Sequence, residues 1–400
     1  MADRLNTPYY TIHKDILDNS LRNLKDALET YWPNYIIGHS YKTNALPWVI
    51  EYFKDNGSYA EVVSDDEYNL AKSIGIQNNH IIYNGIAKSK KTFLEAVRDH
   101  AIVNIDAEYE IDWLDELASP DNNGSNSSYE VGIRVNFDIE PICPKQTHCG
   151  VAGSRFGFCY ENGELKRAID KIASKSVKVN GIHIHKSSIT RMPNIYEAIA
   201  GAAIEVAKNY DLKLKYVDIG GGFFGGLETK PPFSEYIEKV ENVLLEYFNP
   251  DQTTLIVEPG MALIGAAVDY TTTILDVKKT TRNLFLITDG SRTQIDPLMR
   301  KTSYFHDISK ISEKDRNVVK NQVVSGYTCM EYDWLFEIKD SEELFPGDQI
   351  IYHKVGAYTM CLSPLFIKWY PAVYVEDGGQ TYKVRNRWTN EEYKSGSIAK

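Results

Sequence analysis

Lys42 sits in the stretch HSYKTN, residues 39–44, between a short apolar run at 35–38 and a helical pattern at 45–53. That context puts it where a strand ends and a connection to a helix begins, the edge on which barrels of alternating strands and helices carry their working residues. A lysine alone reads equally as a surface cation or as an imine-forming amine. Other segments bear on the choice. DIGGGFFGG, residues 218–226, places Gly220, Gly221 and Gly222 after an apolar run, and consecutive glycines let backbone N–H groups close on an anion such as phosphate. A flexible turn is the plain alternative, and the spacing is not the G-x-G-x-x-G that opens a dinucleotide-binding helix. Glu258 in VEPG closes another apolar run, where an ionised carboxylate is costly unless it faces a cation or a proton donor. His185 in HIHKSS is either a core histidine or a flat surface on which a ring can stack.

An amine for an imine, glycines for a phosphate, an acid for a pyridine nitrogen and an imidazole plate for the ring together describe pyridoxal phosphate, an electron sink for a carbanion. Five cysteines, Cys143, Cys149, Cys159, Cys329 and Cys361, are few, odd in number and irregularly spaced, which suits reduced thiols. Cys143, His148 and Cys149 superficially suggest zinc, but no second closely spaced ligand pair accompanies them. That segment reads as a loop, and no metal is expected.

Such groups need a scaffold whose strand ends converge. Strand-like runs at 35–42, 58–64, 80–85, 100–106, 129–137, 179–186, 216–222 and 254–260 alternate with helix-like segments, of which Ile195, Ala198, Ile199, Ala202, Ala203 and Val206 show the clearest helical spacing. Eight such units predict a (β/α)8 TIM barrel, an open doubly wound sheet being the rival. The polar stretch SPDNNGSNSS at 119–128 predicts a surface loop. After about residue 265 helical periodicity fades. Runs at 269–277, 283–288, 321–327, 349–355, 371–375 and 380–384 predict a C-terminal all-β barrel or sandwich domain. The expected division is 1–34, a strand and helix packing with the β domain, 35–264, the barrel, and 265–400, the β domain. The opening strand at 8–12 is free to pair into the latter.

The chain's 400 residues, 43% hydrophobic and 25% charged, are an ordinary globular composition, and a net charge of -11 argues against nucleic acid or an anionic membrane as partner. No run reaches the ~20 apolar residues that span a bilayer, and MADRLNTPYY lacks an apolar signal core, so the expectation is a cytoplasmic protein.

In family order, these motifs resemble those of the barrel-fold (fold type III) pyridoxal-phosphate decarboxylases acting on diaminopimelate, ornithine and arginine, kin to alanine racemase. The resemblance runs from TPYY to GAYTMCLSPLF. It implies that Lys42 is the Schiff-base lysine and that Glu61, Ser64 and Glu67 fall on the second-strand motif. Ser64, His185, Ser188, Gly220, Gly221, Gly222, Glu258, Gly260 and Tyr358 would bind the cofactor. Arg155, with Phe156 and Gly157, stands where the family usually has Lys-Phe-Gly. Cys329, in SGYTCMEYD, resembles a catalytic cysteine that reaches the neighbouring subunit, which implies a homodimer with shared sites. The departures bear on substrate: Met261 and Met330 stand where an arginine and an acid are usual, and TDGSRTQIDPLMR brings Arg292, Asp296 and Arg300 into a segment similar to the one that reads substrate. The reading is α-decarboxylation of an unusual or conjugated amino acid with a polar or acidic far end, in a biosynthetic pathway. Its alternatives are a diaminopimelate- or ornithine-type decarboxylase, a racemase or epimerase, and a non-catalytic partner-binding homologue.

Overall fold

The structure, a computed structural model, describes residues 5–117, 129–311 and 313–398; the expected loop at 119–128 lies outside them. The chain divides into two compact units, residues 20–262 and residues 1–19 with 263–400. The division falls within helix α1 (Lys14–Tyr31), which follows strand β1 (Tyr9–His13), so the first 34 residues are shared between the units.

The larger unit is a closed parallel barrel. Its strands β2 (Tyr35–Ser40), β3 (Tyr59–Val62), β4 (Ile81–Tyr83), β5 (Ile102–Ile105) and β6 (Glu130–Asn136) pair in sequence. A two-residue strand, β7 (Phe158–Cys159), adds to the side of β6. Next come β8 (Lys178–His183), β9 (Tyr216–Asp218) and β10 (Thr254–Val257), and β10 returns to β2 to close the ring. Helices α2 (Pro47–Asp55), α3 (Asp65–Ser73), α4 (Lys90–Arg98), α5 (Glu108–Trp113), α6 (Glu164–Ser174), α7 (Pro193–Asn209) and α8 (Phe233–Leu244) lie between the strands in sequence. Ile82, Tyr216 and Ile256 form a buried layer inside the ring, with Ile36, Tyr59 and Ile102 packed against it. The Tyr216 ring fits because β6 and β8 carry glycine opposite it: a Cβ on Gly181 would lie 2.1 Å from the ring, and one on Gly132 would lie 2.0 Å from its hydroxyl.

The strands stop two to four residues short of several apolar runs in the sequence, because local bonds end the ladders. The Val63 N–H donates to Glu67 Oε2 at 2.8 Å, and the Gly220 N–H donates to Asp218 Oδ1 at 2.8 Å as the chain turns to φ +67°. The residues that carry chemistry therefore lie on the loops just past the strand ends.

The smaller unit holds an open nine-stranded sheet. Strands β11 (Val268–Lys279), β12 (Leu284–Thr288), β13 (His306–Ser309), β14 (Val318–Ser325), β15 (Trp334–Glu342), β16 (Gln349–Tyr352), β17 (Ala372–Asp377) and β18 (Gln380–Arg385) join β1 in the order β15-β14-β12-β11-β1-β17-β18, with β16 on β11 and β13 on β16. β1 runs antiparallel to β11 and parallel to β17. The run at 321–327 begins three residues early, at Val318, and β13 and β15 are additional to the runs read from sequence; their residues are largely exposed or half-buried, so little apolar alternation marks them. Among the described residues no helix is long and apolar enough to cross a membrane.

Candidate active site

A hydrogen-bonded line of side chains crosses the strand ends of the barrel. Lys42 Nζ donates to Glu61 Oε2 at 2.5 Å, and Ser40 Oγ donates to the same oxygen at 2.6 Å. Asn84 Nδ2 donates to Glu61 Oε1 at 3.1 Å and to Glu258 Oε1 at 2.5 Å. Asn84 is itself oriented by Asn104 Nδ2, which donates to its carbonyl oxygen at 2.8 Å, and Asn104 in turn accepts from the Tyr216 hydroxyl at 2.8 Å. The end of the line is buried. One atom from each of His183, Asp218 and Glu258 lies within 4.8 Å of the others.

Electrostatics differ along this line. Burial pushes Glu61 up, but the Lys42 charge and the bonds from Lys42, Ser40 and Asn84 outweigh it and hold the carboxyl below its ordinary value. Glu258 goes the other way: burial, then the neighbouring Asp218 and Glu61, raise it well above the carboxylate range. Burial pushes Asp218 up to about 7. His185 is pushed down to about 3, by burial and then by Arg134, so its ring is neutral in ordinary buffers.

The glycines bring these segments together. A Cβ on Gly220 would stand 2.5 Å from His185 Nδ1, one on Gly221 2.0 Å from the Glu258 carbonyl oxygen, and one on Gly260 2.1 Å from Thr43 Oγ1 beside Lys42. Gly220 and Gly221 are thus required by packing alone. Gly222, exposed at φ +99°, is the member of the triplet with free space, its hypothetical Cβ meeting only Tyr196 Oη at 3.2 Å and His185 Cε1 at 3.9 Å.

Other expected site residues have local duties. Ser64 is the N-cap of α3, accepting from the Glu67 N–H at 3.2 Å. Ser188 Oγ accepts from the Arg191 N–H at 2.7 Å and donates to the Gln146 carbonyl at 3.2 Å. Arg155 is exposed and shares the Phe156 ring with Arg134, at 4.6 and 4.5 Å. Cys143 and Cys149 make separate sulfur contacts, with Asn194 and Thr147 respectively.

In the smaller unit, Asp296 is buried and committed: Arg292 Nη2 donates to it at 3.0 Å, the N–H groups of Arg300 and Lys301 at 3.0 and 2.9 Å, and the Tyr304 hydroxyl at 3.3 Å. Arg292 is neutralised by that pair. Arg300 is exposed, and its side chain meets no partner among the described residues. Cys329 is exposed and Met330 half-buried on a loop gathered by buried Asp333, which accepts from the Thr328 hydroxyl at 2.7 Å and the Arg292 N–H at 2.9 Å. Tyr358 is half-buried at φ +57°.

Three observations in the larger unit test the fit of pyridoxal phosphate. Glu258 is a buried acid whose surroundings favour its protonated form and which a pyridine nitrogen can face, His185 offers a neutral ring whose Nδ1 is buried without a partner among the described residues, and Gly222 leaves backbone open. The residues fit the group. From sequence, Asn84 and His183 stand at strand ends with no role attached, and Asp218 is only the acid that opens DIGGG; no local signal announces the bridge that Asn84 makes between two acids.

A family model described as "Pyridoxal-dependent decarboxylase, pyridoxal binding domain" matches residues 16–265. A diaminopimelate decarboxylase of Aquifex aeolicus is 26% identical over 380 residues, which cover 91% of this chain and 84% of that one. An L-glutamyl-[BtrI acyl-carrier protein] decarboxylase of Niallia circulans is 26% identical over 395 residues, covering 93% and 88%. The solved diaminopimelate decarboxylase of Methanocaldococcus jannaschii has a TM-score of 0.86 at 21% identity, covering 100% of this chain and 94% of that one, a likeness of fold.

Proposed function

The chain belongs to the pyridoxal-dependent decarboxylases, binding pyridoxal phosphate and decarboxylating a small amino acid, and from that premise we propose that its substrate is a basic α-amino acid of the diaminopimelate type. The cofactor supplies the electron sink that makes loss of carbon dioxide from an α-carbon possible. The observation that carries the reading is the line Lys42–Glu61–Asn84–Glu258 beside the glycine loop. In it, Lys42 is the amine that anchors the cofactor, oriented by Glu61. Glu258 holds a proton at the ring nitrogen, His185 lies against the ring, and Ser188 with Gly220, Gly221, Gly222, Gly260 and Tyr358 serves the phosphate. The Ser64 hydroxyl acts through its cap on α3. Cys329 completes the site of a second copy in a homodimer.

Seven of the relatives matched at this level are diaminopimelate decarboxylases, which favours that class over the unusual or conjugated substrate expected from sequence. A diaminopimelate carries a carboxylate beside its distal amine, and Arg300 is a cation free to meet one, Arg292 being already paired with Asp296. The conjugated reading keeps one support, the relative from Niallia circulans.

The test is carbon dioxide release by purified protein from meso-diaminopimelate, lysine, ornithine, arginine and a glutamyl-carrier conjugate. Turnover of diaminopimelate is expected, with a KM raised roughly tenfold by Arg300→Ala, the loss of about one exposed charge-assisted bond. Turnover of the conjugate alone would replace this reading with the second one.

A further inference from the structure

Arg191 lies where three loops beyond the barrel strands meet. Its own loop follows β8, Phe224 belongs to the glycine loop after β9, and Met261 follows the turn after β10. The backbone there is fixed in an unfavourable conformation, φ +52°, which a residue with a side chain seldom adopts. Two bonds hold it: the Arg191 N–H donates to Ser188 Oγ at 2.7 Å, and its carbonyl accepts from the Tyr236 hydroxyl at 2.6 Å.

What this conformation delivers is a half-buried guanidinium with little to bind. Its centre lies 5.5 Å from the Phe224 ring, and Nη1 donates to Met261 Sδ at 2.8 Å. A thioether is a weak, uncharged acceptor, while guanidinium has five N–H donors arranged for the paired oxygens of carboxylate or phosphate. Among the described residues no carboxylate pairs with it. Lys230, exposed, adds a second cation 5.0 Å from the same ring. A partly desolvated cation without an anion is expensive to maintain.

We infer that Arg191 is a phosphate-binding residue, its guanidinium joining the glycine loop in holding the phosphate of the cofactor. The placement selects phosphate over a substrate carboxylate. Arg191 is three residues from Ser188, and its ring partner Phe224 is two residues past Gly222, the glycine whose surroundings are open. Met261 and Phe224 act as its rests, keeping the side chain extended without competing for its donors. The inference rests on the cofactor reading above and adds to it a residue that neither the glycine loop nor the acid on the ring nitrogen brought to notice.

The experiment measures equilibrium binding of pyridoxal 5′-phosphate and of unphosphorylated pyridoxal, by absorbance and by quenching of protein fluorescence. The proteins are the wild type, Arg191→Ala, Arg191→Lys and the exchange Arg191→Ala/Met261→Arg, in which the cation is supplied from the contacting residue. Arg191→Ala is expected to weaken the phosphorylated ligand about 10- to 100-fold and to leave pyridoxal within about twofold. Arg191→Lys should recover part of the loss, and the exchange should recover most of it. Equal weakening of both ligands would mean that Arg191 only shapes the loop and would overturn the assignment. Unchanged binding of both with a raised KM for the amino acid would overturn it too, by giving the cation to the substrate's carboxylate. Should the alanine variant fail to fold, Arg191→Gln, which keeps the stem against Phe224 and removes the charge, decides between the same outcomes. A wild-type protein that binds neither ligand would instead sink the cofactor reading itself.

Discussion

Glu258 shares its buried corner with Asp218 and lies one hydrogen-bonding residue away from Glu61, so three carboxyls compete for the charge that the corner can hold. Burial and the other two acids raise Glu258 well above the carboxylate range, while the Lys42 charge and the bonds Glu61 accepts hold that carboxyl below its ordinary value. This separates two jobs, orienting an amine and protonating a ring nitrogen, between acids that look alike in sequence. In Glu258→Gln the amide turned to accept from Asn84 presents its N–H to the ring nitrogen, which must then accept and cannot stay protonated. Turnover should fall by ~2 to 4 kcal/mol of transition-state stabilisation, roughly 30- to 1,000-fold, with a much smaller change in cofactor affinity. Stopped-turnover kinetics beside a cofactor titration check both halves, and an unchanged rate would remove Glu258 from the ring.

At the scale of elements, β1 is the strand around which the smaller unit's sheet is built, yet it comes from the far end of the chain. Its last residue ties both neighbours: His13 Nε2 lies 3.0 Å from Asp269 of β11, and Nδ1 lies 3.2 Å from Glu376 of β17. The bond to Asp269 raises the imidazole above its ordinary value, against the opposing effect of burial. A group raised on folding stabilises most below its unfolded value near ~6.5, and that contribution is lost as pH rises through the higher folded value. Urea midpoints should therefore fall between about pH 6 and about pH 9 by an amount worth roughly 0.5 to 1 kcal/mol. His13→Gln should flatten that interval. A slope that survives the substitution would assign it to other groups.

For the whole molecule, the proposed homodimer makes a sharp statement about Lys42 and Cys329, since each site would draw one residue from each copy. Lys42→Ala and Cys329→Ala should each be inactive alone. Mixed under conditions of subunit exchange, they should regain activity near a quarter of wild type, because random pairing gives about half heterodimers, each with one intact site. A mixture that stays inactive although exchange is demonstrated by mass would mean that each copy builds its own site.

The barrel was legible in sequence, and so was the position of Lys42, the glycine loop and Glu258 just beyond apolar runs, because each rests on local information. Apolar runs alternating with helical spacing predict βα units whatever their order in space, and an isolated acid such as Glu258 at the end of an apolar run announces a need for a partner. Only tertiary structure decided how those residues are spent. Asn84 links two acids 197 residues apart in sequence, Glu61 and Glu258, through a single amide, and no local pattern encodes that bridge. Gly220 and Gly221, read from sequence as a phosphate cradle, are required first by the approach of His185 and of the Glu258 carbonyl, leaving Gly222 with the open surroundings. Asp296, read as a group facing substrate, is consumed by Arg292, Arg300, Lys301 and Tyr304. The physical reason is common to all three: type and periodicity show what a residue can do, but which donors and surfaces surround it is fixed by contacts between segments that the sequence holds far apart.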